Sequence, residues 1–256
     1  MIQEIIYYDD ARDGREISIS LFYPSLEDAP DFNGAPFPLI INDYKMFNKF
    51  GEHLVSHGYV VAGINGIDTG SWDEELFNQP LDFVYVLNQL ADSPPELLEG
   101  MIDTDHVGVW GYSYGGRNSV FLSGGRFDPE YYFTNCENPG ESTIEFTQSR
   151  IEMMCGPYHN WDAFSDQAGS EITVSDDGLW QPITDERIIA TIPMSSSGEW
   201  LFGPRGFASA DKAILMTAGT REEPYYPEGY RIYEELATSD KAYISFVNHS
   251  HDMIFG

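Results

Sequence analysis

The stretch Val107-Gly-Val-Trp-Gly-Tyr-Ser-Tyr-Gly-Gly116 decides the fold. His106 to Trp110 opens it with a short, nearly continuous apolar run, as in a strand covered on both faces. Gly111-Tyr-Ser-Tyr-Gly115 then fits the pattern G-x-S-x-G, Gly116 follows, and Val120, Phe121 and Leu122 make the next segment apolar. A strand that turns abruptly into a helix forces the residue at the bend into strained backbone space. The residues two before and two after must be small, and the serine Oγ is lifted to the carboxyl end of the sheet, over a helix N-terminus. The bare pattern arises by chance in many chains. With a strand before it, a helix after it and an extra glycine, Ser113 is the expected nucleophile rather than the capping serine of a glycine-rich turn.

Outward from this point the chain alternates. Ile5 to Tyr8, a turn at Asp13-Gly14, and the period-two set Ile17, Ile19, Leu21 and Tyr23 read as an antiparallel hairpin. Pro38-Leu-Ile-Ile41 and Tyr59-Val-Val-Ala62 read as buried strands. Phe47 to His57 has helical spacing and stops at Gly58, and Leu81, Val84, Leu87 and Leu90 form a helical stripe. Strand and helix in turn from residue 38 to about 123 predict an α/β fold: a mostly parallel central sheet with helices on both faces. Residues 124–184 break the rhythm with Gly, Asn, Asp and the aromatics Phe127, Tyr131, Tyr132, Phe133, Tyr158, Trp161 and Phe164. They read as a partly helical, cap-like insertion within a single domain spanning 1–256. The alternation resumes with Ile188 to Ile192, Ala213 to Ala218, a helix near Gly229 to Leu236, and a last strand at Ala242 to Val247.

Composition narrows the partners. The chain carries 42 acidic and 13 basic residues, a formal net charge of −29. That field repels phosphate backbones and anionic lipids, so nucleic acid and acidic membranes are not expected partners. The acidic residues are spread along the chain, which suits a solvated surface and, more sharply, work at high salt. No apolar run is long enough to span a bilayer. Met1 to Ile6 lacks the charged and apolar regions of a signal peptide, and the compartment stays open between cytoplasmic and secreted with the signal removed. Cys136 and Cys155 have neither zinc-site nor redox-motif spacing; a loop-closing disulfide is favoured over two free thiols. Nothing indicates an oligomeric state.

A serine nucleophile needs a base. Of the six histidines, His251 in Asn248-His-Ser-His-Asp252 follows the last strand and is the choice, with His249 its competitor. The base must be oriented by a carboxylate lying past a strand between the two. Gly219-Thr-Arg-Glu-Glu-Pro224 follows such a strand; Glu222 takes the role, with Glu223 adjacent as the alternative.

Over nearly its whole length the sequence resembles the α/β-hydrolase superfamily, in its dienelactone-hydrolase-like and platelet-activating-factor-acetylhydrolase-like branch, with bacterial polyester hydrolases and cutinases as neighbours. The resemblance rests on Leu21-Phe-Tyr-Pro24, Pro38-Leu-Ile-Ile41, His53-Leu-Val-Ser-His-Gly-Tyr-Val-Val61, the elbow at Val107 to Gly116, and Phe246-Val-Asn-His-Ser-His-Asp-Met253. It implies a serine carboxylester hydrolase without metal or organic cofactor, with Ser113 as nucleophile, His251 as base and Glu222 as acid. It also implies an oxyanion hole from the backbone N–H of Tyr114 and a second N–H after the Ile41 strand, given to Met46. The chain departs from the family pattern in several places: among them, Asn42-Asp-Tyr-Lys-Met-Phe47 stands where His-Gly and a further glycine are common, and the acid is Glu rather than Asp. The expected substrates are small or medium acyl esters, with polyesters a further class. Tyr44, Phe47, Trp72, Tyr114, Trp161 and Trp200 would line an aromatic cleft, and Arg117 and Arg221 would offset the acidic field. The competing readings are a lactone hydrolase or peptidase with the same triad, and a non-catalytic binding protein on a hydrolase fold.

Overall fold

Strand β5 (Ile102–Tyr112) runs through the centre of the sheet and shows how the layers are built. In the computed structural model, which describes residues 1–24, 35–66, 72–142 and 144–251 and omits the side chains of 44–49, its side chains alternate between two cores. Val107 and Val109 face helix α2 (Glu75–Asp92), where Phe83, Val86, Leu87 and Leu90 are buried. Trp110 and Tyr112 face helix α1 (Tyr44–Ser56) through Phe50 and Leu54. Period-two alternation with both faces covered gives the continuous apolar run seen in the sequence.

The described residues form one eight-stranded sheet in the order β1-β2-β4-β3-β5-β6-β7-β8. Its strands are β1 (Ile2–Asp9), β2 (Arg15–Phe22), β3 (Phe37–Asp43), β4 (Val60–Ile64), β5, β6 (Ile188–Met194), β7 (Ala213–Gly219) and β8 (Lys241–Phe246). β1 pairs antiparallel with β2, and β2 antiparallel with β4. Every later pairing is parallel. The hairpin turns at Asp13, which is left-handed at φ 53°, and Gly14 at φ 72°. The parallel strands all end at one edge, where ligands of open α/β sheets sit.

Helix α3 (Tyr114–Leu122) leaves β5 directly; α9 (Glu199–Phe207) and α10 (Tyr225–Glu235) follow β6 and β7. Between α3 and β6 lie five short helices, α4 (Pro129–Glu137), α5 (Gln148–Met154), α6 (Gly156–His159), α7 (Trp161–Ala168) and α8 (Ser170–Thr173), in the stretch that broke the rhythm. The aromatics there pack on one another: Phe127 and Trp180 have ring centroids 4.7 Å apart, and Phe133 and Trp161 also 4.7 Å. The same cluster takes in Phe121 of α3 and Trp200 and Phe202 of α9. Cys136 on α4 is disulfide-bonded to Cys155, which caps α5. Among the described residues no helix is long and apolar enough to cross a membrane.

Candidate active site

At the end of β5 the backbone bends at Ser113, whose φ of 57° and ψ of −108° no ordinary strand or helix uses. The glycines around it are required by contact. A Cβ on Gly111 would lie 2.1 Å from the Gly115 carbonyl oxygen, and one on Gly115 would lie 2.1 Å from Asp43 Oδ2. One on Gly116 would meet the Met194 carbonyl oxygen at 2.7 Å. The strain is held from both sides. The Tyr112 N–H donates to Asp43 Oδ2 at 2.8 Å, and the Ser113 N–H to the Met194 carbonyl at 2.9 Å.

Ser113 Oγ lies 3.1 Å from His251 Nε2. His251 Nδ1 lies 3.4 Å from Glu222 Oε2. Glu222 is buried, and its other oxygen is engaged: Oε1 accepts from the Gly219 N–H at 2.7 Å and the Ser195 hydroxyl at 3.0 Å. One carboxylate oxygen is thus fixed by the turn and the other left for the imidazole, which accommodates the longer Glu arm. Ser195 is itself left-handed, at φ 48°, just past β6. The turns that carry Glu222 and His251 are laced together. The Arg221 N–H donates to the His249 carbonyl at 2.9 Å, the Asn248 N–H to Thr220 Oγ1 at 2.9 Å, and the Thr220 N–H to the Phe246 carbonyl at 3.0 Å.

No protein-family model matches the chain, and no curated protein sequence is significantly similar to it. Solved structures are similar over almost its full length. A cold-adapted esterase from an Arctic intertidal metagenomic library superposes with a TM-score of 0.54 at 14% identity, covering 98% of this chain and 86% of that one. Dienelactone hydrolase from Anabaena variabilis superposes with a TM-score of 0.55 at 13% identity, covering 98% of this chain and 88% of that one. The fold is that of the α/β-hydrolases. Within this α/β-hydrolase fold Ser113, Glu222 and His251 follow β5, β7 and β8, at the carboxyl edge of the sheet.

The alternatives named from sequence lie elsewhere. His249 is exposed, with its ring nearest Phe246 at 6.2 Å, and Glu223 is exposed beside the site. His53 near the end of α1 and His57 at its C-cap lie against each other with ring centroids 4.3 Å apart, His106 pairs with Asp103, and His159 lies against Tyr158. For the oxyanion hole, Tyr114 opens α3 and Met46 lies in the first turn of α1. β3 and β5 are parallel neighbours, Asn42 opposite Trp110, so both helices start at the same sheet edge with their positive ends toward it.

The aromatic cleft read from the sequence is largely corrected. Trp72 and Trp200 are 4% and 1% exposed and belong to the core, and Trp161 packs inside the ring cluster of the insertion. The Tyr44 and Phe47 side chains lie outside the described residues. Among the four whose side chains are described, Tyr114 lines a cleft by the site, of about 510 Å³, with Met153, Arg150, Tyr225, Glu145 and Glu223. Arg117 is also corrected as an accessible cation: it is fully buried, and that burial pushes its guanidinium down to about 10.

Four supporting residues were missed. Asp43 braces the elbow and Ser195 fixes Glu222. Tyr112 and Tyr225 hold the imidazole between them: Tyr225 stacks on it with centroids 4.2 Å apart, and Tyr112 lies 4.8 Å away and donates its hydroxyl to the His251 carbonyl. The only sequence signal was the unusual Asn42-Asp43 at the end of β3. Among the described residues no group of three or more His, Cys, Asp or Glu gathers as a metal site.

Proposed function

We propose that the protein is a serine carboxylic ester hydrolase acting through an acyl-enzyme on small or medium acyl esters. The observation that carries this reading is the unbroken chain from Ser113 Oγ to His251 Nε2, and from His251 Nδ1 to Glu222, at 3.1 and 3.4 Å. Such spacing suits a nucleophile and its base. His251 takes the Ser113 proton at Nε2 as Oγ attacks the ester carbonyl. Glu222 orients the ring and stabilises the imidazolium that develops. The oxyanion is met by the Tyr114 N–H and, from the first turn of α1, that of Met46; a donor of this kind contributes about 2.7–4 kcal/mol of barrier lowering. The imidazolium then protonates the departing alcohol. The same ring activates water, which splits the acyl-serine and returns the proton to Oγ. The scheme uses only side chains, backbone amides and water.

The cleft beside the site supports a substrate of modest size: about 510 Å³, with the Tyr114 and Tyr225 rings and the Met153 side chain as its apolar walls. Lactones are the second reading, because the same attack opens a cyclic ester and one structural neighbour is a dienelactone hydrolase. Polyesters are the longer-chain extension of the first.

The test is a fluorophosphonate label with mass analysis, followed by turnover of p-nitrophenyl esters of graded chain length, a dienelactone and a polyester film. One adduct per chain on Ser113, lost in Ser113→Ala together with ester turnover while the fold persists, is the expected result. Turnover retained by Ser113→Ala would remove the nucleophile. An inert Ser113 in the intact protein would leave a binding protein.

A further inference from the structure

The catalytic histidine of this reading is in contact with more than its triad partners. The Tyr225 ring, at the start of α10, stacks on the His251 imidazole with an interplanar angle of 17°. The same tyrosine ring carries the Arg150 guanidinium, whose Cζ lies 4.6 Å from its centroid. Arg150 comes from α5, inside the insertion, and it is anchored. Its Nη2 donates to Glu228 Oε2 at 3.1 Å, and Glu228 is buried on α10. Glu228 Oε1 in turn accepts from the Gly198 and Glu199 N–H groups at the start of α9, at 2.6 and 3.1 Å. A short run of contacts therefore leads from the insertion to the imidazole.

We propose that Tyr225 and Arg150 are positioning residues for His251: the tyrosine ring holds the imidazole in line with Ser113, and the guanidinium packed on that ring, anchored through Glu228, holds the ring in place. The proposal rests on the Ser113–His251 reading given above. Two physical effects support it. A flat ring against a flat ring leaves the imidazole free to slide in its plane but not to tilt out of it, and a histidine on an exposed turn needs such a constraint to keep Nε2 on Oγ. A guanidinium packed on the same tyrosine ring, itself tied to the buried Glu228, stiffens that support, and the insertion supplies it. Tyr112 lies against the imidazole from β5.

The experiment is the separate kcat and KM values on a p-nitrophenyl ester, for the intact protein and four variants. Tyr225→Leu is expected to lose about tenfold in kcat with KM changed less than about twofold, and Tyr225→Phe to recover most of that loss, because the ring face makes the contact with the imidazole. Arg150→Gln is expected to lose about threefold in kcat with KM changed less than about twofold. Glu228→Gln with Arg150→Gln keeps the α9 cap and leaves no unpaired buried carboxylate, and should show the same loss of kcat if the guanidinium acts by bracing the tyrosine ring. Unfolding curves check that each variant is folded. A kcat unchanged in both arginine variants, or a Tyr225→Leu effect confined to KM, overturns the proposal while fluorophosphonate still labels Ser113. A protein that is not labelled at Ser113 overturns the hydrolase reading and this inference together.

Discussion

At the residue scale, the two adjacent glutamates after β7 are separated by what holds them. Glu222 is buried with Oε1 bound to the Gly219 amide and the Ser195 hydroxyl, whereas Glu223 is exposed on the cleft wall. Glu222→Gln is expected to lower kcat on the order of a thousandfold, since an amide cannot stabilise the imidazolium, while Glu223→Gln changes it little. Equal losses in the two variants would argue against the assignment. Another buried carboxyl makes no contact with Ser113 or His251. Burial pushes Glu199 up to about 7 even though the Tyr131 hydroxyl and Arg231 favour its charged form, and Glu228 and Glu235 add to the rise. The folded protein holds this proton more tightly than the unfolded chain does. The stability it contributes is therefore full at acid pH and is lost as pH rises through about 7. Urea unfolding from about pH 5 to about pH 8 should show that decline in the intact protein and a flatter curve in Glu199→Gln.

Elements explain what could be read from the sequence and what could not. The elbow was legible because its constraint is steric and local: Gly111 and Gly115 are small because each other's backbone and Asp43 leave no room. The strand–helix rhythm was legible because burial on both faces writes itself into β3, β4 and β5. The braces were not, since Asp43 reaches Tyr112 across 69 positions and Ser195 reaches Glu222 across 27. No periodicity records such a meeting. Trp72 and Trp200 were placed on the cleft because an aromatic in irregular sequence suits a rim and a core equally, and only packing tells them apart. Within the insertion, the Cys136–Cys155 bond ties α4 to the end of α5. Removing both cysteines as Cys136→Ser with Cys155→Ser should cost about 3 kcal/mol of stability, the loop-closure entropy returned to the unfolded chain, read by urea unfolding. A double variant as stable as the parent would show that aromatic packing alone holds these helices.

For the whole molecule the decisive quantity is the charge of −29. At low ionic strength that charge repels itself across every dimension of the fold, and about 0.15 M salt shortens the reach of the repulsion to about 8 Å. The melting temperature is expected to climb as sodium chloride is raised from millimolar to molar levels. A steady fall over the same range would mean that specific ion pairs, such as those of Arg15 with Glu75 and Asp82, outweigh the general repulsion.

The order of the strands carries one more consequence. On the proposed function the Ser113 bend needs only β5, β6 and β3, whereas Glu222 and His251 lie on the turns after β7 and β8, at the far side of the sheet. During synthesis Ser113 emerges long before His251. A ribosome-bound or half-folded chain would then carry a poised but unactivated hydroxyl, and the proposed hydrolysis would begin only when the outermost strand has docked.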